Sequence, residues 1–299
     1  MHEHFSESER AWRAIVQRSF FSHGHDSLHA RTLSWLAVLC SRQNRNAEAE
    51  SLFKSAIEIQ KQVSGENDIA TQSTIRRLVW FYEGCSRYAD AEPYRREIIR
   101  IDKRIRPNSI EIAISINELG LLFSTLGRNE EAASQFEEAI RMQTLSENRI
   151  AYAAVMNNLA RVYHRLGRTA DAELFYKKAL KIRQEEFGDD FSLTARPSIN
   201  LAQLYISQAR FADAEPLLKE AIRIDEAEPE RWEKRIHGPI PTSVRKEYQH
   251  DIMISMRLLA YLYRAQGRNP EAETMNKRFG KLMSRWPGVG TEPVISTPL

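Results

Sequence analysis

The sequence repeats itself about every 42 residues, and this period constrains the fold more than any other feature. The repeats are marked by six alanines, here called anchor alanines: Ala49, Ala91, Ala132, Ala172, Ala214 and Ala272. Their successive spacings are 42, 41, 40, 42 and 58 residues, and a leucine stands thirteen residues before each one. Such a period is typical of proteins built from stacked supersecondary units. We therefore expect six tandem repeats, with an insertion before the last.

Each repeat has the pattern of a helical hairpin. Positions 16, 13, 12 and 9 before the anchor alanine share one helix face and are mostly apolar, which predicts the buried stripe of a first helix. Apolar residues 3, 7, 8 and 10 after the anchor predict a second buried stripe on a second helix. In three repeats a glycine (Gly127, Gly167, Gly267) stands five residues before the anchor, where left-handed backbone would end the first helix. The predicted fold class is an all-α solenoid of helix-turn-helix repeats.

Two charged positions recur in every repeat. An arginine stands four residues before each anchor: Arg45, Arg87, Arg128, Arg168, Arg210 and Arg268. An acidic residue stands one before: Glu48, Asp90, Glu131, Asp171, Asp213 and Glu271. Charges repeated in every unit are suited to stabilising helix ends or linking neighbours, so we expect a structural role for both.

The segment from Ala151 to Asp190 resembles a tetratricopeptide repeat of the long, kinesin-light-chain-like type. The residues that show the resemblance are Asn157, Asn158, Leu159, Ala160, Tyr163, Gly167, Arg168, Ala172, Glu173, Ala179 and Leu180, and weaker copies cover about residues 30 to 285. The resemblance implies a right-handed superhelix in which the first helices line a concave groove that binds extended peptides. The second repeat departs from the pattern at Val79, Arg95 and Ile98, where we expect adjusted packing.

The predicted organisation has three parts. Residues 1–29 are expected to form a capping helix and loop, with Ala14 and Ile15 in the places that Ala56 and Ile57 hold in the first repeat. Residues 30–286 are expected to hold the six repeats, with an insertion near 228–247, and residues 287–299 a disordered tail. Insertions in repeat proteins often project as loops that make specific contacts. Trp232, Arg235 and His237 are therefore candidate contact residues, although a loop without function is an equal alternative.

Composition argues against several classes of protein. An apolar fraction of 42% and a mean hydropathy of -0.50 indicate a soluble, folded chain. No stretch has the roughly 20 apolar residues of a membrane helix, and the first residues lack a signal-peptide pattern, so we expect a cytoplasmic protein with no membrane partner. Cys40 and Cys85 have no disulfide or metal-site spacing.

Catalysis and cofactor binding are not expected either. The histidines near the amino terminus, among them His23 and His25, have no cysteine or carboxylate at a ligand spacing. The sequence contains no phosphate-binding loop, dinucleotide fingerprint or nucleophile motif. We therefore expect neither an enzyme nor a protein with a metal or another cofactor.

The predicted groove is basic. Positions 18, 15, 14, 11, 8 and 7 before each anchor lie opposite the buried stripe of the first helix and are here called the groove face. Its 36 residues include nine arginines, no lysine and two acids, Glu83 and Glu118, a net charge of 9 - 2 = +7 against +3 for the whole chain. The predicted binding residues are Arg31, Arg76, Trp80, Asn117, Leu121, Asn157, Asn158, Arg161, His164, Arg165, Asn200, Arg257, Tyr261 and Arg264.

These residue types suit an extended acidic peptide. Guanidinium groups pair bidentately with carboxylate or phosphate, and asparagine amides pair with peptide N–H and C=O groups. Our leading hypothesis is an adaptor or scaffold that binds an acidic or extended segment of a partner protein. A regulatory peptide-sensing module that controls a partner enzyme is an alternative; a nucleic-acid-binding solenoid is less favoured, because the groove face has few aromatic residues. A solvated helix face without a ligand also stays open, as does the oligomeric state.

Overall fold

The computed structural model describes residues 27–107, 109–143, 148–187, 192–236 and 242–285, together with Arg10, Ala14, Ile15 and Gln17. Within the five ranges the chain forms twelve α-helices and no β-strand. The helices are α1 (Ser27–Arg42), α2 (Asn46–Ser64), α3 (Ile69–Gly84), α4 (Tyr88–Ile105), α5 (Ile110–Thr125), α6 (Asn129–Gln143), α7 (Arg149–Arg165), α8 (Thr169–Phe187), α9 (Ser192–Ser207), α10 (Phe211–Ile236), α11 (Thr242–Ala265) and α12 (Asn269–Arg285). Every even-numbered helix begins three residues before an anchor alanine, so the predicted hairpins are confirmed.

The chain divides into two compact units, Met1–Ser146 and Glu147–Leu299, here called the N-terminal and C-terminal units. The first contains α1 to α6 and the second α7 to α12. In each unit, the two helices of a repeat pack against each other, and the second helix also packs against the first helix of the next repeat in that unit. The leucines thirteen residues before the anchors and the anchor alanines themselves are buried in all six repeats. The two predicted stripes are therefore the core of each unit.

One turn geometry joins the two helices of every repeat. The residue five before the anchor has a positive φ in all six repeats: 74° at Gly127, Gly167 and Gly267, 61° at Asn44, 58° at Ser86 and 55° at Ala209. The amide of the following arginine donates to the carbonyl oxygen five residues earlier, as from Arg210 to Tyr205 at 2.8 Å. This is the six-to-one bond of a helix end with a left-handed residue. The glycines predicted three of these turns.

The insertion is not the loop that we predicted. Helix α10 continues to Ile236 and α11 begins at Thr242, so residues 228–236 and 242–247 are helical. The prediction was wrong because this segment is rich in Glu, Arg and Lys, which favour helix, and α10 continues through Pro229. Trp232 and Arg235 therefore lie on α10, while His237 and the rest of residues 237–241 fall outside the described residues.

The two ends of the chain are described only in part. Arg10, Ala14, Ile15 and Gln17 are helical and exposed, whereas Ala56 and Ile57, whose places two of them were predicted to take, are buried. Residues 27–29 belong to α1 and not to the predicted loop. The other residues of the predicted cap and the predicted tail at 287–299 lie outside the described residues. Among the helices that the structure describes, none is both long and apolar enough to span a membrane.

Candidate functional site

The repeated arginines are engaged within the fold, as predicted. Each pairs with the acidic residue three positions later. In five repeats the guanidinium also lies 3.9 to 4.8 Å from the centre of an aromatic ring near the end of the first helix. Four of the arginines reach a glutamate that directly follows the anchor of the preceding repeat: Arg87 to Glu50, Arg128 to Glu92, Arg210 to Glu173 and Arg268 to Glu215. These arginines link repeats and are not candidates for ligand binding.

The groove face of the N-terminal unit is aromatic as well as basic. Trp35 and Trp80 are 43% and 59% exposed, and Arg77 lies 4.5 Å from the ring centre of Trp35 while it donates to Ser34 Oγ at 2.9 Å. Arg31 is exposed on α1, and Asn117 and Leu121 are half-buried on α5. This surface presents tryptophan rings beside its cations.

Arg76 belongs instead to an internal charge network. It donates to Glu118 at 3.1 Å, to Ser115 at 3.0 Å and to buried Asp102 at 3.4 Å. Arg95, which departs from the family pattern, is buried and pairs with Glu118 and with both oxygens of Glu83. A guanidinium at a usually apolar position is tolerated here because two carboxylates neutralise it. The network therefore engages Arg76 and both acids of the groove face.

The groove face of the C-terminal unit has a different charge pattern. Its eighteen positions contain five arginines and no acid: Arg161, Arg165, Arg196, Arg257 and Arg264. Asn200 Nδ2 on α9 donates to Asn157 Oδ1 on α7 at 2.9 Å, which joins the first helices of successive repeats. Arg196 pairs with Asp251 on α11, with 2.9 Å between Nε and Oδ2. The basic character predicted for the whole groove face is thus concentrated in this unit.

Burial and like charge act together on α7. Burial lowers the pKa of Arg161, and the neighbouring guanidiniums of Arg165 and Arg196 lower it further. The Nε of Arg161 is buried and makes no hydrogen bond with the described part of the chain. Burial and Arg165 also lower the pKa of His164, whose Nε2 lies 3.2 Å from Ser207 Oγ. Burial and the charge of Arg165 thus lower the pKa of two groups on one helix.

The remaining predicted residues of this unit lie on the same face. Asn158 is half-buried on α7, and Arg257, Tyr261 and Arg264 are exposed on α11 at spacings of four and three residues. These spacings place the three side chains on one side of α11. The face therefore continues along all three first helices of the unit.

Two residues of this surface escaped the sequence reasoning. Trp35 occupies a groove-face position, so its spacing could have identified it, but it was not among the predicted binding residues. Arg183 lies on second helix α8, outside the groove-face positions, and burial and then Arg196 lower its pKa. The sequence feature that could have pointed to Arg183 is the position eleven residues after the anchor alanine. In four repeats this position holds a polar residue that is at least half-buried: Gln60, Asp102, Arg183 and Asp225.

Comparisons with known proteins agree with this architecture. Models described as Tetratricopeptide repeat match residues 29–70, 71–145, 140–185, 151–227 and 254–275. The Arabidopsis thaliana protein named Protein KINESIN LIGHT CHAIN-RELATED 3 is 25% identical over 161 residues. That match covers 53% of this chain and 25% of the relative, so the chain matches about a quarter of the relative's length.

Solved structures show the same fold. BtubC (BKLC) from P. vanneervenii superposes with a TM-score of 0.64 at 21% identity, covering 86% of this chain and 96% of that one. A Signal Transduction ATPase with Numerous Domains with a tetratricopeptide repeat sensor, from Pyrococcus horikoshii, gives 0.64 at 17% identity, covering 91% and 38%. Because repeat models match more than half of its length and its hairpins have the expected positions, this chain belongs to the tetratricopeptide repeat family.

Proposed function

We propose that this protein is an adaptor or scaffold whose C-terminal unit binds an acidic, extended segment of a partner protein. Tetratricopeptide repeat proteins generally mediate protein–protein interaction. The main support for an acidic segment is the groove face of α7, α9 and α11, with five arginines and no acid among eighteen positions. In the N-terminal unit, by contrast, Arg76 is paired with acids and Arg77 lies against Trp35.

The side chains offer two kinds of contact with such a segment. Arg161 and Arg165 supply guanidiniums for carboxylates, and bidentate pairs of this kind are among the stronger polar contacts. Asn158 and the Asn157–Asn200 pair supply amides suited to the N–H and C=O groups of an extended backbone. Tyr261, 42% exposed on α11, adds an aromatic contact of the kind enriched at interfaces. The proposal includes no catalytic step.

The test is a binding assay with peptide libraries. Fluorescence anisotropy would compare degenerate peptides rich in Asp and Glu with neutral ones of the same length. The double variant Arg161→Glu/Arg165→Glu should weaken binding of the acidic library at least tenfold, because the introduced negative charges then repel the ligand. The control, Lys181→Glu/Lys277→Glu, makes the same charge change at exposed positions of second helices and should keep wild-type affinity.

Other outcomes separate the alternatives. Equal binding by wild type and the groove variant would overturn the proposal. Tight, steeply salt-dependent binding of random oligonucleotides, with no binding of acidic peptides, would replace it with a nucleic-acid function. A ligand-dependent change in solution dimensions by small-angle scattering would favour the sensing module over a rigid adaptor.

A further inference from the structure

The groove face of the N-terminal unit exposes large apolar side chains. Trp35 on α1 is 43% exposed, Trp80 on α3 is 59% exposed and Ile114 on α5 is 39% exposed. Val38 on α1 and Leu121 on α5, also at groove-face positions, are half-buried. Exposed apolar side chains gathered on one face are typical of an interaction site. A ligand of this surface therefore has to cover apolar area.

Three of these residues form a line across the first helices of the unit. Val38, Trp80 and Leu121 each stand eleven residues before an anchor alanine, so they hold the same place in successive repeats. Arg77 on α3 donates to Ser34 Oγ on α1 at 2.9 Å, and the charge network of the second repeat links α3 to α5. The first helices thus lie side by side. Val38, Trp80 and Leu121 are here called the apolar line.

The spacing of the apolar line favours one ligand conformation. Helices that are in contact have axes about 8–10 Å apart, so the line offers one apolar side chain per step of about that size. A β-strand presents side chains on one side about every 7 Å. A polyproline II helix does so about every 9 Å, once per turn of three residues. The line therefore matches a polyproline II segment with an apolar residue at every third position.

The two tryptophans suit such a segment chemically. An indole ring offers a broad apolar surface, and its N–H group donates hydrogen bonds. The carbonyl oxygens of a polyproline II segment make no internal hydrogen bond and can accept from it. Arg77, whose guanidinium lies 4.5 Å from the ring centre of Trp35, stands one helical turn before Trp80, so both tryptophans belong to one part of the face. Grooves lined by aromatic residues are a recurrent way of binding proline-rich segments.

The charges of this face favour an uncharged segment. Beside the apolar line, three guanidiniums and three carboxylates neutralise one another: Arg76, Arg95, Arg106, Glu83, Glu118 and Asp102. A charged ligand would have to break these pairs, whereas an uncharged one leaves them intact. Arg77 is engaged with Trp35, and the exposed Arg31 and Arg42 lie on α1. The part of the face from Trp80 to Leu121 is therefore complementary to apolar groups without charge.

We propose that the groove face of the N-terminal unit binds an uncharged, proline-rich segment of a partner protein in the polyproline II conformation. This surface lies in the other unit from the one proposed for an acidic segment, and its charges are paired within the chain. The two surfaces thus recognise different features of a partner. One takes apolar residues at every third position, and the other takes carboxylates.

The test measures peptide binding to the full chain by fluorescence anisotropy. The probe is a labelled peptide of repeated Leu-Pro-Pro triplets with blocked ends, about twelve residues long, which gives about four turns. The comparison peptide has the same residues, with its leucines at every second position. The triplet peptide should bind at least about tenfold more tightly, because its leucines share one side at the spacing of the apolar line. Equal affinity of the two peptides overturns the inference.

Substitutions at Trp80 locate the binding. Trp80→Ala should weaken binding of the triplet peptide at least about tenfold, whereas Trp80→Phe keeps a ring and should stay within about threefold of the wild type. The control Val63→Ala shortens another exposed apolar side chain of this unit, on second helix α2, and should bind as the wild type does. Because Trp80 is mostly exposed, circular dichroism should show unchanged helix content. Wild-type affinity in Trp80→Ala overturns the inference.

Two further outcomes would assign this surface to another ligand. If Trp80→Ala weakens binding of the acidic library and the triplet peptide does not bind the wild type, the surface takes acidic segments and the inference is wrong. If sedimentation velocity shows wild-type dimers that Trp80→Ala does not form, a second copy of the chain covers the tryptophans and the inference is again wrong. The acidic-segment proposal is tested at Arg161 and Arg165, so either proposal can fail while the other stands.

Discussion

Arg210 of the fifth repeat donates from Nη1 to Glu173 of the fourth repeat across 2.6 Å. The same glutamate accepts from the hydroxyl of Tyr205, whose ring centre lies 4.1 Å from the Arg210 guanidinium. One carboxylate therefore joins two elements of the next repeat. Equivalent glutamates, Glu50 and Glu215, make the same contacts with Arg87 and Arg268 and with Tyr82 and Tyr263.

These links predict a loss of stability in acid. The pKa of Glu50 is lowered from 4.5 to about 2, chiefly by the hydrogen bond from Arg87. The pKa of Glu215 is lowered to the same value, chiefly by the hydrogen bond from Arg268. For Glu173, burial raises the pKa, but bonds from Arg210, Lys177 and Tyr205 outweigh it and again give about 2. Because the folded-state pKa lies below the unfolded value, the stabilisation is complete above pH 4.5 and disappears as pH falls towards 2.

The measurement is urea unfolding of wild type and Glu173→Gln between pH 7 and pH 2.5. The variant should be less stable by about 1 kcal/mol at pH 7, and the difference should shrink below pH 4.5. Arg210→Gln, which removes the partner, serves as the companion variant and should show the same convergence. A difference that stays constant across this range would contradict the prediction.

The turn at Ala209 predicts a stabilising substitution. A left-handed conformation costs an L-residue about 1–2 kcal/mol, and Ala209 has a φ of 55° where three other repeats have glycine. Ala209→Gly should raise the free energy of unfolding by about 0.5–1 kcal/mol, since the greater freedom of glycine in the unfolded chain offsets part of the gain.

The reciprocal change is its control. Gly167→Ala should lower the free energy of unfolding by about 1 kcal/mol, although a Cβ there would meet no atom within 4 Å, because the cost is conformational. Both variants would be compared with wild type by urea unfolding. Effects of the same sign in both would contradict the argument.

Features that depend on local pattern were predictable from the sequence. The helix period placed all six second helices, and glycine marked three of the six turns. The turns at Ser86 and Ala209 were missed because the fold holds these residues in a conformation that they do not favour by themselves. The turn at Asn44 was missed because only glycine was used as the signal, although asparagine also adopts left-handed backbone. The helical insertion was missed because Gly238, Pro239 and Pro241 suggested that the whole insertion is a loop. These helix-breaking residues require a loop only around their own positions.

The candidate site was less predictable, because pairing across repeats decides which charges face solvent. Counting groove-face residues found an excess of arginine but could not show that Arg76 donates to buried Asp102. Nor could it show that Arg183, on a second helix, lies near enough to Arg196 for the charge of Arg196 to lower the pKa of Arg183. Such contacts join residues of different helices, and no single-helix pattern records them.

Buried Asp102 predicts a large effect from a small substitution. Its carboxylate accepts from Arg106 at 3.0 Å, Ser115 at 2.8 Å and Arg76 at 3.4 Å. Asp102→Asn removes the negative charge and leaves Arg76 and Arg106 undercompensated, which should lower the free energy of unfolding by about 2–4 kcal/mol in urea unfolding. Because the carboxylate is fully buried, the loss should persist in 1 M salt; a loss below about 0.5 kcal/mol would show that the network is not stabilising.

The two arginine environments predict opposite effects from one kind of substitution. Arg95→Met removes the cation between Glu83 and Glu118 and should lower the free energy of unfolding by about 3 kcal/mol, because both carboxylates lose a buried partner, although Glu118 keeps Arg76. Arg161→Met removes a desolvated cation whose charged neighbours are Arg165 and Arg196, so it should stabilise the ligand-free protein by about 1 kcal/mol.

The measurement is urea unfolding of both variants in a chloride buffer free of phosphate and sulfate. Destabilisation of the same size by both substitutions would show that Arg161 has an internal counter-charge, and the contrast between the two repeats would be wrong.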